Sequence, residues 1–303
     1  MKKTDLKGAT VLMFVRFDTI ERVKNFHILV RYYKKYFTNF KFIFSEECPK
    51  RPQVPFELNE NFFNGFNLES DEFELIWKSV SDKGVEWNKC AAYNRGIKLS
   101  QSDVIIFNDL DAIIHPNQMM EAVDTALESE NLGFVFPYNG EFLCIDQPNL
   151  SNAPYQGDLG ETRKKRFNEN LDIEILFEDY EQCTKQVGST YSEGLSILVG
   201  STTSVGGCVV GRRDNLVKCN GYNPKFIGWG YEDNECPARV HRLGYEVRKL
   251  GGTNQPLFHL PHSGPGESKR ETNPHHENNR QHCSYVEANG KKEMEEYIKT
   301  WKL

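Results

Sequence analysis

The sequence predicts an α/β fold with a mixed, mainly parallel sheet flanked by helices, and three observations predict it. "ATVLMFVRF" (9–17) is an apolar run of strand length. "ERVKNFHILVRYYKKYF" (21–37) sets Val23, Phe26, Leu29, Val30 and Tyr33 at helical spacing. "FKFIFSEE" (40–47) is strand-like again. Strand, helix and strand in that order form a β-α-β opening, which implies a parallel sheet with right-handed crossovers.

The alternation continues along the chain. Residues 48–86 are irregular at first, rich in Pro, Asn and Phe, and then acidic. "WNKCAAYNRGIKLSQSD" (87–103) reads as a helix and "VIIFNDLDAII" (104–114) as a central strand ending in carboxylates. "NQMMEAVDTALES" (117–129) reads as the helix behind it, and "LGFVFPY" (132–138) as another strand. Residues 140–200 are polar and charged and read as an insertion or a partner-facing segment. "TTSVGGCVVGRRDNLVKCNGY" (202–222) returns to strand, turn and helix. After "YEVRKLGG" comes a turn-rich, histidine-rich stretch (251–283), then a closing helix, "KKEMEEYIKTW". A single domain over 1–303 is expected, with no internal repeats.

Composition narrows the function classes. The 303 residues are 38% hydrophobic and 26% charged, an ordinary globular balance. A formal charge of −6 argues against a general nucleic-acid binder, which carries a basic excess. The apolar run near the start is short and ends at Arg16 and Asp18, so neither a signal peptide nor a membrane span is read. Eight scattered cysteines without a CxxC suit reduced thiols, and a cytoplasmic location is expected.

Three clusters carry chemistry. Asp109 and Asp111 follow the apolar run of a strand, where open α/β sheets gather ligands. Two acids there suit a hard divalent cation bridging a diphosphate, although a polar turn after a strand looks the same. His259 and His262 in "HLPHS" are two imidazoles suited, with a carboxylate, to a first-row divalent metal. His275, His276 and His282 lie in a very polar stretch and read as solvated. The third cluster is "FIGWGYEDNECPARVHRLGY" (226–245), where Glu232, Asp233 and Glu235 follow a Gly-Trp-Gly turn. Trp229 offers a face for sugar stacking, and one carboxylate could accept a proton from an attacking hydroxyl. An acidic first turn of a helix has the same appearance.

Taken in order, these stretches resemble the inverting glycosyltransferases of the GT-A (Rossmann-like) fold, most closely the β-1,4-galactosyltransferase type. "VLMFVRFD" resembles the family's first strand, with Arg16 at its arginine. "WNKCAAYNRGIKL" resembles its Phe-Asn-Arg-Ala-x-x-x-Asn-x-Gly helix, with Asn88, Lys89, Asn94 and Gly96 in place. "IIFNDLDAI" is similar to its Phe-x-Asp-Val-Asp strand end. The run from "VGGCVVG" to "RLGY" is similar to its long signature, and "HLPHS" stands where it has Met-x-x-His-Ser. The resemblance spans about 8–135 and 202–276.

The resemblance implies roles. Asp111 and His262 would hold Mn²⁺, with Mg²⁺ possible, and His259, which stands where the family often has Met, would also ligate it. Arg16, Asn88, Lys89 and Asp109 would face a UDP-sugar donor. Trp229, Gly230, Tyr231 and Glu232 would contact a glycan acceptor, and Asp233 would be the general base. Residues 8–135 would form the nucleotide-sugar half and 202–265 the acceptor and metal half. Residues 266–303 would be a mobile segment and C-terminal helix, with Lys269 or Arg270 near the diphosphate in a lid over 263–282. Ile227, Tyr231 and Asn234 depart from the family's usual Trp, Gly and acid. The turn helps select the sugar, so the expectation stays at a hexose or N-acetylhexosamine. A non-catalytic nucleotide- or sugar-binding protein of the same fold, and a metal-dependent nucleotidyltransferase or hydrolase, are the alternatives.

Overall fold

The computed structural model describes residues 2–17, 19–48, 72–79, 87–145, 170–178, 195–199, 205–251, 255–260 and 273–303. The opening is as expected: β1 (Thr4–Val15), α1 (Ile20–Tyr36) and β2 (Phe37–Cys48), with β1 and β2 parallel. Thr19 caps α1, its hydroxyl accepting from Arg22 N at 3.3 Å. Then follow β3 (Phe73–Ser79), α2 (Lys89–Leu99), β4 (Val104–Asn108), β5 (Ala112–Ile113), α3 (Pro116–Glu128) and β6 (Leu132–Phe136). The remaining elements are β7 (Phe142–Ile145), β8 (Leu195–Val199), β9 (Cys208–Arg212), α4 (Arg213–Lys218), α5 (Glu232–Arg242), β10 (Glu246–Lys249), β11 (Leu257–His259), α6 (His276–Ala288) and α7 (Lys291–Tyr297).

The main sheet has seven strands in the order β10-β6-β9-β4-β1-β2-β3. It is mainly parallel, and β9 alone runs antiparallel to both its neighbours, β4 and β6. Val11, Leu12, Ile105 and Ile106 are fully buried at its centre, which explains the uninterrupted apolar runs of β1 and β4. A second sheet of four short strands, β5-β11-β7-β8, joins segments that lie far apart in the chain. No helix among the described residues is long and apolar enough to cross a membrane.

The structure corrects two expectations and adds detail to others. The run 104–114 is two strands in two sheets, because the Asp109–Asp111 turn carries the chain from β4 into β5. Residues 48–86 contain β3, and 140–200 contains β7, β8 and a helical turn at 173–178. That turn buries Ile173 and Leu176 in the common core, with Ile173 N donating to Tyr36 Oη at 3.0 Å. The centre of 140–200 therefore packs on α1 as part of the core. Residues 273–303 hold α6 and α7, the latter within the expected closing helix, and 266–272 lie outside the described residues. His276 is buried, not solvated as expected, while His282 is half-buried with its Nδ1 3.0 Å from Tyr297 Oη. Their polar sequence neighbours simply form the outer face of α6.

Candidate active site

The Asp109–Asp111 turn is held from three sides. Asn108 is fully buried, and its amide donates to Asp109 O at 2.7 Å and Ala112 O at 3.0 Å. Tyr33 Oη, from α1, donates to Asn108 Oδ1 at 2.8 Å. Asp109 N donates to Gly207 O at 2.8 Å, tying the turn to the approach to β9. Asp109 thus stands at the carboxyl end of the central strand, beside the parallel end of β1. Such strand ends form the ligand crevice of α/β sheets.

The second sheet supplies the histidine. β11 pairs with β5 so that His259 lies opposite Ala112, and Leu260 N donates to Asp111 O at 2.7 Å. This register brings His259 Nε2 within 3.5 Å of Asp111 Oδ2. Among the described residues no group of three or more His, Cys, Asp or Glu forms a metal cage. His262 lies outside the described residues, as do Lys269, Arg270 and most of the expected lid.

α5 brings the acids. Its first turn carries Glu232, Asp233 and Glu235, favoured there by the helix dipole. Helical geometry then divides them. Glu235 turns inward to Arg239, with Oε1 2.7 Å from its Nε, while Glu232 and Asp233 face a cavity of about 310 Å³. Gly206 lies against Asp233: a Cβ there would stand 2.7 Å from Asp233 Oδ2, so any side chain at 206 would displace that carboxylate.

Lys89, the first residue of α2, ties these carboxylates together. Its Nζ lies 3.0 Å from Asp109 Oδ2, 3.2 Å from Asp233 Oδ1 and 4.0 Å from Glu232 Oε1. Burial opposes its charge, but Asp109 and Asp233 beside it hold the ammonium well above the usual lysine range. Burial and the neighbouring Asp233 push Glu232 up to about 7, against the pull of Lys89. Burial also raises Asp233, again against Lys89, although its side chain keeps 30% of its surface open. Raised carboxylates beside a cation in a cleft mark a functional site.

The cavity gathers Arg16, Lys89, Asp109, Asp111, Trp229, Glu232, Asp233 and His259, all read from the sequence. It does not gather Asn88, Gly230 or Tyr231. The side chain of Asn88 caps α2 at Ala91 N and donates to Pro224 O at 2.7 Å, so both of its polar ends serve the scaffold. Gly230 N donates to Glu232 Oε2 at 2.9 Å, and the Tyr231 ring packs on His276. Sequence reasoning missed Phe14, Trp87, Arg22 and Asn25 in the wall. Trp87 stacks on Phe14 with centroids 5.7 Å apart, and the Arg16 guanidinium lies 5.1 Å from its ring centre. The Trp87 indole N–H is buried without a hydrogen-bond partner among the described residues. Its place directly before the Asn88-Lys89 pair was the available signal.

Comparison with known proteins adds to this geometry. Residues 190–263 match a family described as the N-terminal domain of galactosyltransferase. No curated protein matches the sequence. The mannosyltransferase PcManGT of Pyrobaculum calidifontis, solved with GDP-Man and Mn²⁺, is similar in fold at a TM-score of 0.51 and 12% identity, over 96% of this chain and 69% of that one. The catalytic domain of Drosophila β1,4-galactosyltransferase 7, solved with xylobiose, gives a TM-score of 0.43 at 14% identity, over 84% of this chain and 71% of that one. Residues 190–263 are therefore galactosyltransferase-like in sequence, and the chain as a whole is similar in fold to a GT-A glycosyltransferase.

Proposed function

We propose that the chain moves a hexose or N-acetylhexosamine from a UDP-sugar to a glycan hydroxyl, with inversion and with a divalent cation, Mn²⁺ or Mg²⁺. The observation that carries this reading is the convergence of Asp111, His259 and Asp233 on one cavity, with Lys89 between Asp109 and Asp233. The Asp111 carboxylate and His259 imidazole, 3.5 Å apart, are a donor pair that fits a first-row divalent ion. His262 would add a third donor. PcManGT holds a nucleotide sugar and Mn²⁺, and we extend that ligand class to this chain.

Bound there, the cation would supply Lewis acidity toward the leaving diphosphate. The protein's own groups do the rest. The Trp87 N–H, without a partner among the described residues, and Arg16 face the nucleotide. Trp229, 43% exposed, offers its ring to the acceptor, and Glu232 accepts from acceptor hydroxyls. Asp233 takes the acceptor hydroxyl's proton as the new C–O bond forms at the anomeric carbon, opposite the breaking bond to the diphosphate. UDP departs with the electron pair. Lys89 keeps Asp233 ionised until that step, by opposing the rise that burial imposes.

UDP release from a panel of UDP-sugars and glycan acceptors, with and without Mn²⁺, tests this. The expected result is acceptor-dependent release from one donor, lost with EDTA and in Asp111→Ala, and a product of opposite anomeric configuration by NMR. Retained configuration, or acceptor-independent cleavage, contradicts it.

A further inference from the structure

The turn from Ile227 to Tyr231 carries Trp229 to the cavity and leads straight into Glu232 and Asp233. Gly228, Gly230 and Tyr231 all have left-handed φ, at 67°, 115° and 69°. A tyrosine holds that conformation only where its surroundings impose it. The surroundings come from α6 and the residues just before it. Asn279, fully buried, donates Nδ2 to Ile227 O at 3.0 Å and accepts from Ile227 N at Oδ1, 3.4 Å away. Asn273 Nδ2 donates to Trp229 O, while its Oδ1 accepts from His275 N at 2.9 Å. The His276 ring lies against Trp229, 6.4 Å between centroids and 21° between planes, and against Tyr231 at 5.2 Å.

We infer that Asn273, His276 and Asn279 are positioning residues for the acceptor end of the site, fixing Trp229 and the start of α5 over the cavity. The inference rests on the transfer reaction proposed above. None of the three lines the cavity, so each acts through the turn. A buried amide tied to both the N–H and the C=O of one residue fixes that peptide as a strand partner would. The donor-facing groups Arg16 and Asp109 stand beside β1 and β4, outside this brace, while Trp87 meets the turn through its backbone alone, its O accepting from Gly228 N at 2.9 Å.

The test compares wild type with Asn279→Ala, His276→Ala and His276→Phe. It reads acceptor and donor KM, kcat, and acrylamide quenching of the Trp229 emission, assigned with Trp229→Phe. Asn279→Ala and His276→Ala are expected to raise acceptor KM roughly tenfold, the scale of a small misplacement of binding groups, with donor KM unchanged. Quenching should rise in both, and His276→Phe, which keeps a ring, should restore acceptor KM and quenching. Equal loss of donor and acceptor KM, or no rescue by Phe, overturns the inference. If wild type transfers no sugar, the proposed reaction falls and quenching decides the brace alone: a rise in both alanine variants supports it, and no change overturns it.

Discussion

Glu232 shows how the site stores a cost. It is 4% exposed and sits beside Asp233, so its carboxyl is raised to about 7 from an ordinary 4.5. Between those values the folded protein binds more protons than the unfolded chain, so stability contributed by this group is present below pH 4.5 and is lost as pH rises toward 7. The slope is at most about 1.4 kcal/mol per pH unit. Glu232→Gln should therefore gain stability relative to wild type as pH rises from 4.5 to 7, read by denaturant unfolding of the metal-free protein. A difference independent of pH would contradict the assignment. At this scale, Asp109 and Asp111 were legible at a strand end and Asp233 behind a turn, but as separate clusters; that one cavity gathers all three was read only from the family resemblance. The separation of Glu235 from its neighbours was not, since charge alone does not say which acid meets a buried arginine. His276 was misread for the same reason: polar composition does not reveal which side of a helix faces inward.

α5 is the element on which the account depends most, and its inner face is polar. Arg239 is fully buried, bonded to Glu235, to Cys219 O and to Gly221 O at 2.8 Å each for the carbonyls, with Trp301 against its guanidinium. Trp301 Nε1 in turn donates to Asn220 O at 2.8 Å. The C-terminal residues thus close the back of the helix whose front carries Asp233. Removing one partner leaves a buried charge uncompensated, a loss of about 3–5 kcal/mol. Glu235→Gln should lower the unfolding free energy by that amount, while Glu235→Gln with Arg239→Met should recover much of it. A single variant as stable as wild type would show that the pair is not desolvated as described. Long, strongly patterned elements such as α1 and β4 were legible from periodicity. The short strands β5 and β11 were not, because two or three residues have no period and their pairing is set by chain segments far away.

The whole molecule places its chemistry where two sheets meet. The seven-stranded sheet delivers Arg16, Lys89 and Asp109 from strand ends and the helix that follows them. The four-stranded sheet delivers His259 opposite the Asp111 turn, and α5 delivers Asp233 across the gap. The β-α-β opening made the first sheet predictable. The second is assembled from 112–113, 142–145, 195–199 and 257–259, which no local signal connects. The central proposal is that Asp233 removes the acceptor's proton, while Lys89 beside it and the other donor-facing groups hold the nucleotide without needing its charge. The most direct test is Asp233→Asn, which keeps shape and removes the base, with UDP affinity in Mn²⁺ and sugar-transfer turnover measured on the same protein. The account predicts unchanged UDP affinity and turnover reduced by about 10²–10⁴-fold. Turnover near wild type would contradict it.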